Sequence, residues 1–324
     1  MSNFSGRKVA VGVGKEVTRG TAVTPSYWLG WMSTDIEDTG KTQMNESAVN
    51  VLDKNVGAEI VELSGAGKID GLITDQSFGL ILYALLGSHS AALHASETIV
   101  YDHTFTESQS NQCQSLTITR KDPNVDIRFA LAMLKSLELD VVSGDYVKMS
   151  TDWVTQPSAT GADTTAFVQE NHFTAKMASL QLAANLAGLS SAVPVLAKEV
   201  KLTVDKGVNP YYIIGQNNPT DIFAEAVTVK GDFTMLYTDD TYKTLRFNNT
   251  PQAVQITLEN TGVTIGTASH PTITFTLPQV YLTEWKPAQP IDGMVEQTVT
   301  FEGTFSIGSA YMIQAILTNL VTTY

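Results

Sequence analysis

Apolar and polar residues alternate with a period of two along LTIT (116–119), LELDV (137–141), KLTVD (201–205), AVQITL (253–258), TITFTL (272–277) and VEQTVTFEGTF (295–305). Alternation rich in Thr, Val, Ile and Phe sends one set of side chains to each face of a pleated strand. The pattern therefore predicts a mainly β chain. It breaks once, at GKIDGLITDQSFGLILYALLG (67–87), where an alternating run reaches Asp75, continues through nine nearly uniformly apolar residues and stops on Gly87. This predicts a strand, a turn capped by Asp75, and one short buried helix ending at a glycine. Two more helices are predicted. One covers 173–187, where Ala-rich composition favours helix while Leu180 and Leu182 alternate as in a strand; the other covers 310–320.

Two stretches carry no apolar period. QPSATGADTTAF (156–167) is small and polar and reads as a linker. STDIEDTGKTQMNESAVNVLDKN (33–55) is long and polar, with Asp35, Glu37, Asp38, Lys41, Glu46 and Asp53 along it. Unpatterned loops of that length in compact proteins are usually functional or disordered, so a long arm is expected there.

The parts before and after the linker share landmarks in one order. Gly67, Thr74 and Asp75 recur at the same spacing as Gly231, Thr238 and Asp239. QSLTIT and QAVQITL follow, then FALAMLKSLEL (129–139) beside FTLPQVYLTEW (275–285), which sets Glu138 against Glu284. A Gly144-Asp145 turn then matches Asp292-Gly293. The expectation is a duplicated β unit of about 150 residues with an insertion of about 26 in the first copy. The units are 1–156, bearing the arm, and 168–324, joined by the linker 157–167.

Composition narrows the function. Charged residues are 16% of the chain, against roughly a quarter in ordinary soluble domains. Something other than water is therefore expected to cover part of the surface. The net charge of −13 is the reverse of a nucleic-acid grip, which gains affinity by neutralising phosphates. The longest apolar run is far short of the ~20 residues of a membrane-spanning helix, and the amino-terminal stretch lacks the apolar core of a secretory signal. The chain is read as made and kept in the cytoplasm until lysis. Cys113 is the single cysteine, so no internal disulfide forms.

Catalytic motifs are missing: HExxH, GxSxG, Walker A and paired CxxC do not occur. GVGK (12–15) and GAGKIDG (65–71) lack the spacing of phosphate loops and read as turn glycines between strands. His89, His94 and His103 fit no regular metal face and are expected in a solvated loop; the pairs Glu37-Asp38 and Asp239-Asp240 read as solvated carboxylates or turn formers. The reading is not an enzyme, with no cofactor and no metal. A β-rich hydrolase is the distant alternative.

Taken in order, VGVGKEVTRGTAVTPSYWLGW (11–31), GKIDGLITDQSFGLILYALLG, GDFTMLYTDD, FTLPQVYL and VEQTVTFEGTFS resemble the tail tube, or major tail, proteins of long-tailed bacteriophages with non-contractile, siphophage-type tails. The resemblance covers nearly the whole chain. It implies tail-tube-type β-sandwich or barrel units, each with a short flanking helix, in subunits that form rings. Rings would stack into a hollow tube whose continuous inner barrel conducts DNA from capsid to host. The duplicated length favours a homotrimeric pseudo-hexamer ring, a homohexamer being the other form in such tails. It also implies a virion tail location after assembly in the host cytoplasm. The implied partners are further copies of the chain, a tape measure protein, a tail terminator and distal tail proteins; genomic DNA would pass without specific binding. Within that frame the alternating acids Glu138, Asp140, Glu296 and Glu302 are candidates to face the lumen, and the acids and Lys41 of the arm to contact the next ring. A capsid decoration or receptor-binding β protein is the alternative reading.

Overall fold

The computed structural model describes residues 5–324; the first four, where the amino-terminal reading begins, lie outside the described residues. The chain is mainly β, as its alternation predicts. In order it forms β1 (Ala10–Lys15), β2 (Tyr27–Leu29), β3 (Trp31–Thr34), β4 (Glu37–Asn45), β5 (Gly57–Leu72), helix α1 (Phe78–Leu86), β6 (Gly87–Leu93), β7 (Tyr101–Glu107), β8 (Leu116–Lys121), β9 (Asp126–Val142), β10 (Lys148–Thr155) and β11 (Ala159–Gly161). It continues with β12 (Ala178–Ala183), β13 (Ala197–Asp205), β14 (Asn209–Tyr211), β15 (Asp221–Phe223), β16 (Thr228–Leu236), helix α2 (Thr241–Phe247), β17 (Gln252–Glu259), β18 (Thr272–Ala288), β19 (Glu296–Gly303) and β20 (Gln314–Asn319).

One long antiparallel sheet runs β3/β4–β5–β10–β9–β13–β16–β19–β18. The pairing of β9 with β13 joins the two halves of the chain without a break. β9 and β18 are each 17 residues long and each serve two sets of partners. The first part of β9 pairs with β8, which pairs with β1; the first part of β18 pairs with β17 and β20, and β17 with β12. Apolar faces from both sets meet in a single core cluster that includes Val11, Ile118, Phe129, Trp153, Val254, Phe275 and Phe301.

The two halves follow one plan down to their irregularities. A register shift falls between Trp31 and Ser33 against β5, and another between Ala197 and Glu199 against β16. The β8–β9 shift at Leu116/Ile118 matches the β17–β18 shift at Gln252/Val254. Opposite β10, β9 bulges between Leu134 and Ser136; opposite β19, β18 bulges between Leu282 and Glu284. A bulge inserts one residue and re-aims the strand, so it fixes the alignment more sharply than composition does. These bulges set Ser136 against Glu284 and Glu138 against Lys286, two residues away from the Glu138–Glu284 match suggested by the amino-acid pattern alone.

Helix α1 forms as predicted and is buried on every side except at Tyr83. Gly87 ends it with φ +81°, a left-handed conformation that glycine takes without strain. Its amino end differs from expectation. Asp75 does not cap the helix; its carboxylate accepts from the main-chain and side-chain nitrogens of Asn171, both at 2.8 Å. The carboxylate at the helix entrance is Glu170, which accepts from Ser77 N at 2.5 Å and Ser77 Oγ at 2.9 Å. Burial pushes the Glu170 carboxyl up from its ordinary range, and the hydrogen bonds from Ser77 pull it back. At the other end Lys206, 1% exposed, donates from Nζ to the Ala84 carbonyl at 2.9 Å. Burial draws its pKa down. A carboxylate at the amino end and an ammonium at the carboxyl end both match the helix dipole.

The other two predicted helices are strands. Within 173–187, β12 pairs with β17, flanked by 3-10 turns at Ala175–Met177 and Leu186–Ser191; the Leu180/Leu182 alternation prevails over helix propensity. Within 310–320, β20 fills a slot between β18 and β7, with Ala315 and Leu317 buried. Helix α2 was not predicted. It is one short half-buried segment against β18, with Tyr242 and Leu245 packed on the core, and its entrance is marked by Asp239, whose carboxylate accepts from Thr241 N at 2.9 Å.

Of the three clustered histidines, His94 lies in the loop after β6 as expected, but His89 and His103 do not. His89 lies on β6 and the fully buried His103 on β7; their rings stack, with His89 Nε2 3.0 Å from His103 Nδ1. His103 Nε2 lies 2.8 Å from the Val321 carbonyl and must donate to it, so in the neutral His103 ring Nδ1 accepts from His89 Nε2. Around them stand Tyr83, Tyr101, Phe105 and Tyr324, with Asp102 beside His103, and Lys15 reaches over Tyr83. Burial, followed by repulsion from His103 and Lys15, lowers the His89 pKa to about 4, and burial lowers that of His103.

Unfolded histidine titrates near 6.5, so between about pH 6.5 and 4 the unfolded chain binds more protons than the folded one. The stability due to neutral His89 is complete above that window and is lost as the pH falls through it. Urea midpoints of the isolated protein should decline across this range, and the His89→Phe variant should decline less; identical pH slopes would remove His89 as a cause.

Candidate functional site

The register of the long sheet places every other residue on a polar face, opposite the face that enters the core. Across the middle strands Asp70 stands beside Ser150 and Ser150 beside Glu138; Lys148 stands beside Asp140 and Asp140 beside Lys201; Lys201 stands beside Asp232 and Asp232 beside Thr300. Lys230 lies beside Glu302, and Glu302 beside Tyr281. Glu138, Asp140, Glu296 and Glu302, read from the sequence as one set, thus share a single face. Their neighbours in sequence, Leu137, Leu139, Val141, Val299 and Phe301, are buried on the other.

Ion pairs lace this face from strand to strand. Lys201 Nζ is 3.0 Å from Glu138, Lys198 Nζ 2.8 Å from Glu296, Lys230 Nζ 3.7 Å from Glu302 and Lys135 Nζ 3.2 Å from Asp152. Lys135 and Lys198 are both bulge residues, which lets them reach a face that regular alternation would deny them. Carboxylates remain in excess: Asp70, Glu138, Asp140, Asp152, Glu199, Asp205, Asp232, Glu284, Glu296 and Glu302 against Lys68, Lys135, Lys148, Lys198, Lys201, Lys230 and Lys286. The excess is felt at Asp232. Desolvation raises its pKa, Lys201 opposes, and Glu199, Glu138 and Asp140 raise it further. Sequence reasoning found four of these acids and missed the lysines opposite them, because cross-strand partners become visible only with the register.

The predicted arm is a β-hairpin, not an irregular loop. β4 pairs with the first part of β5 from Glu37↔Ala66 to Asn45↔Gly57, every β4 residue is exposed, and residues 46–56 form the tip. Gly40 stands opposite Leu63 on one face, where a Cβ would meet Ile60 and Leu63 at 3.5 and 3.6 Å, ordinary contact distances. Met44, Ala58 and Ile60 continue that face, so it is apolar while the opposite one carries Lys41, Gln43, Glu59 and Glu62. Lys41 pairs with Glu62 at 2.7 Å and Glu46 with Lys54 at 3.0 Å. The base is tied to its own chain. Asp35 accepts from Lys68 N, and Asp38 accepts from Ser158 N and Oγ, both at 2.7 Å. The expected linker is fastened in turn: β11 pairs with β9, and buried Asp163 receives Arg128 Nε at 2.8 Å and Nη2 at 2.5 Å. A shorter hairpin, β14–β15, leaves the second half at the matching point between β13 and β16, and its Asn217 carbonyl accepts from Leu63 N.

Each end of the long sheet has an open side. β3 and β4 pair only with β5, and the last part of β18, residues 281–288, pairs only with β19 among the described residues. Large apolar side chains stand exposed at several loop tips, including Leu52, Ile214, Ile291 and Ile307. Unpaired edges and exposed apolar tips are features that a solitary β protein avoids. Among the described residues no group of three or more His, Cys, Asp or Glu could hold a metal ion, and no helix is long and apolar enough to cross a membrane.

No curated protein matches the chain. A family model described as phage tail tube protein matches residues 6–304. That match spans nearly the whole of a chain whose geometry is that of a self-assembling β subunit, and the chain belongs to the phage tail tube protein family.

Proposed function

We propose that this chain is the repeating subunit of a long, non-contractile phage tail. Copies close into rings, the rings stack, and the polar sheet face lines the channel through which genomic DNA leaves the capsid. The observation that carries this reading is the long sheet with an open edge at each end and one face studded with charge. Edges are removed when neighbouring copies close the sheet into a barrel. The matched bulges of the two halves support duplication of one unit, with β6–β7 as the insertion in the first copy, and hence a ring of three chains with pseudo-sixfold form. A ring of six is the other possibility. In the finished virion the tube would be filled or bounded by tape measure, terminator and distal tail proteins, after assembly in the host cytoplasm.

Purified protein at high concentration should form tubes in negative stain, with rings of three chains after averaging. Particles of fixed size would favour the capsid decoration or receptor-binding reading instead, and true sixfold rings of six chains would remove the duplication argument.

The hairpin arm is proposed to reach the adjacent ring. Its inner face is apolar yet uncovered in the single chain, and its base is fixed by Asp38 and Ser158, so the tip projects as a rigid lever. Replacing residues 42–60 by an Asn-Gly turn should leave a folded, soluble protein that no longer polymerises; tubes of normal yield would rule out the role.

An acid-rich lining keeps DNA from binding. Duplex DNA carries one negative charge per about 1.7 Å, and a basic wall would hold it through counterion release. Phage carrying Asp140→Lys, Glu199→Lys and Glu302→Lys together should build tubes but deliver DNA at least about tenfold less well. Undiminished delivery through tubes bearing all three lysines would show that repulsion is unnecessary.

A further inference from the structure

The junction inside the chain predicts the junction between chains. β9 meets β13 in a defined register, Glu138 opposite Thr203 and Leu139 opposite Leu202. Ser143 N–H donates to Lys198 O, and Lys206 N–H to Lys135 O. Hydrogen bonds between antiparallel strands recur at every second residue pair, so Leu139 and Leu202 form a hydrogen-bonded pair and Glu138 and Thr203 a non-hydrogen-bonded one.

The matched bulges carry this pattern onto the open edges. Leu134, Ser136, Glu138 and Leu139 correspond to Leu282, Glu284, Lys286 and Pro287 of β18. Ala197 and Glu199 correspond to Trp31 and Ser33, which takes Leu202 to Ile36 and Thr203 to Glu37. Asp35 N–H donates inward to Lys68 O, so the main-chain groups of Ile36 face the open side. The two edges are complementary at the two places where they depart from the internal junction. Pro287, in the place of Leu139, has no N–H to donate. The acceptor that this N–H would seek, the Ile36 carbonyl, is already taken by Arg120 Nη1. One position further on, the pair Glu138–Thr203 becomes Lys286–Glu37, two exposed side chains of opposite charge.

We propose that the free edge of β18 pairs antiparallel with the β3–β4 edge of a second copy of this chain, with Lys286 opposite Glu37 and Pro287 opposite Ile36. The inference rests on the ring-forming function proposed above and adds the register to it. In this register the missing donor meets an acceptor that needs none, whereas a slip by two residues would set Pro287 against the outward carbonyl of Thr34 or Asp38, left without that donor. A slip by one would carry the β18 acids and lysines to the wrong face.

A non-hydrogen-bonded pair has its Cα atoms about 4.5 Å apart, inside the range that a disulfide spans. Tubes of the double variant Glu37→Cys/Lys286→Cys, oxidised after assembly, should run as a covalent ladder ending at the copy number of the ring. Mixed tubes of the two single variants should give interchain links, and homogeneous tubes of either should give none. Tubes that form normally but link only through a shifted pair, Thr39→Cys with Lys286→Cys, or through neither pair, would overturn the register while leaving the tube reading intact. A wild-type protein that never forms rings would overturn both. As a second measure, Glu37→Lys should remain folded by thermal melt yet assemble poorly, and Lys286→Glu in the same chain should restore assembly; failure of the restoration in folded protein would count against the pairing.

Discussion

A buried helix with a counter-charge at each end is the constraint on which the rest of this chain depends. α1 hides almost all of its surface, so the polar groups at its two ends cannot turn to water. Glu170 answers the amino end and Lys206 the carboxyl end, and both come from beyond the linker. Removing one partner of such a buried hydrogen bond typically costs about 1–3 kcal/mol, because a backbone group is left unpaired in the interior. The helix is thus fixed by sequence far from its own, and the two halves cannot separate without exposing both ends. The uninterrupted β9–β13 pairing joins the same two halves a second time.

The two halves share matching irregularities but differ at several places. In the first, the excursion between the opening strands is a long exposed hairpin; in the second, at the matching point, it is the short β14–β15 hairpin. In the first, β9 is sealed by β13; in the second, the corresponding part of β18 is open and carries Pro287. Proline on an edge strand, with its missing N–H on the unsealed side, limits indiscriminate strand addition. α1 is deep in the core, whereas α2 lies half-buried on β18. Identical halves would have made every edge equally sticky.

Much of the fold was legible because two-residue alternation is a local signal. β9, β13, β17, β18 and β19 were all visible in it, and α1 was visible as a glycine-terminated apolar run. The errors fall where local signals compete. β12 lies in an Ala-rich stretch, and β20 holds its place through contacts with β7, more than 200 residues away in sequence. The arm read as unpatterned because Gly40 and Thr42 dilute the apolar face of β4 and most of that face is supplied by Ala58, Ile60 and Leu63 of β5. Four acids of the polar face could be read as a set, but the lysines that neutralise them, and the bulges that let Lys135 and Lys198 join, depend on register. His103 looked solvated because its neighbours are polar; only the β7–β20 pairing and the ring of Tyr324 bury it.

The place of Tyr324 bears on the order in which the molecule can form. Its ring lies so close to Gly79 that a Cβ there would sit 2.1 Å from it, and its hydroxyl donates to the Gln76 carbonyl at the entrance of α1. Asn319, on β20, donates to the Asp75 carbonyl beside it. The first half is therefore completed by residues more than 240 positions further along the chain. At roughly 5–20 residues per second, ribosomal synthesis separates these partners by many seconds. Contacts of such sequence separation form late, after the entropy of a long loop has been overcome. A nascent chain thus has no finished α1 to brace the long sheet until Asn319 and Tyr324 have emerged from the ribosome.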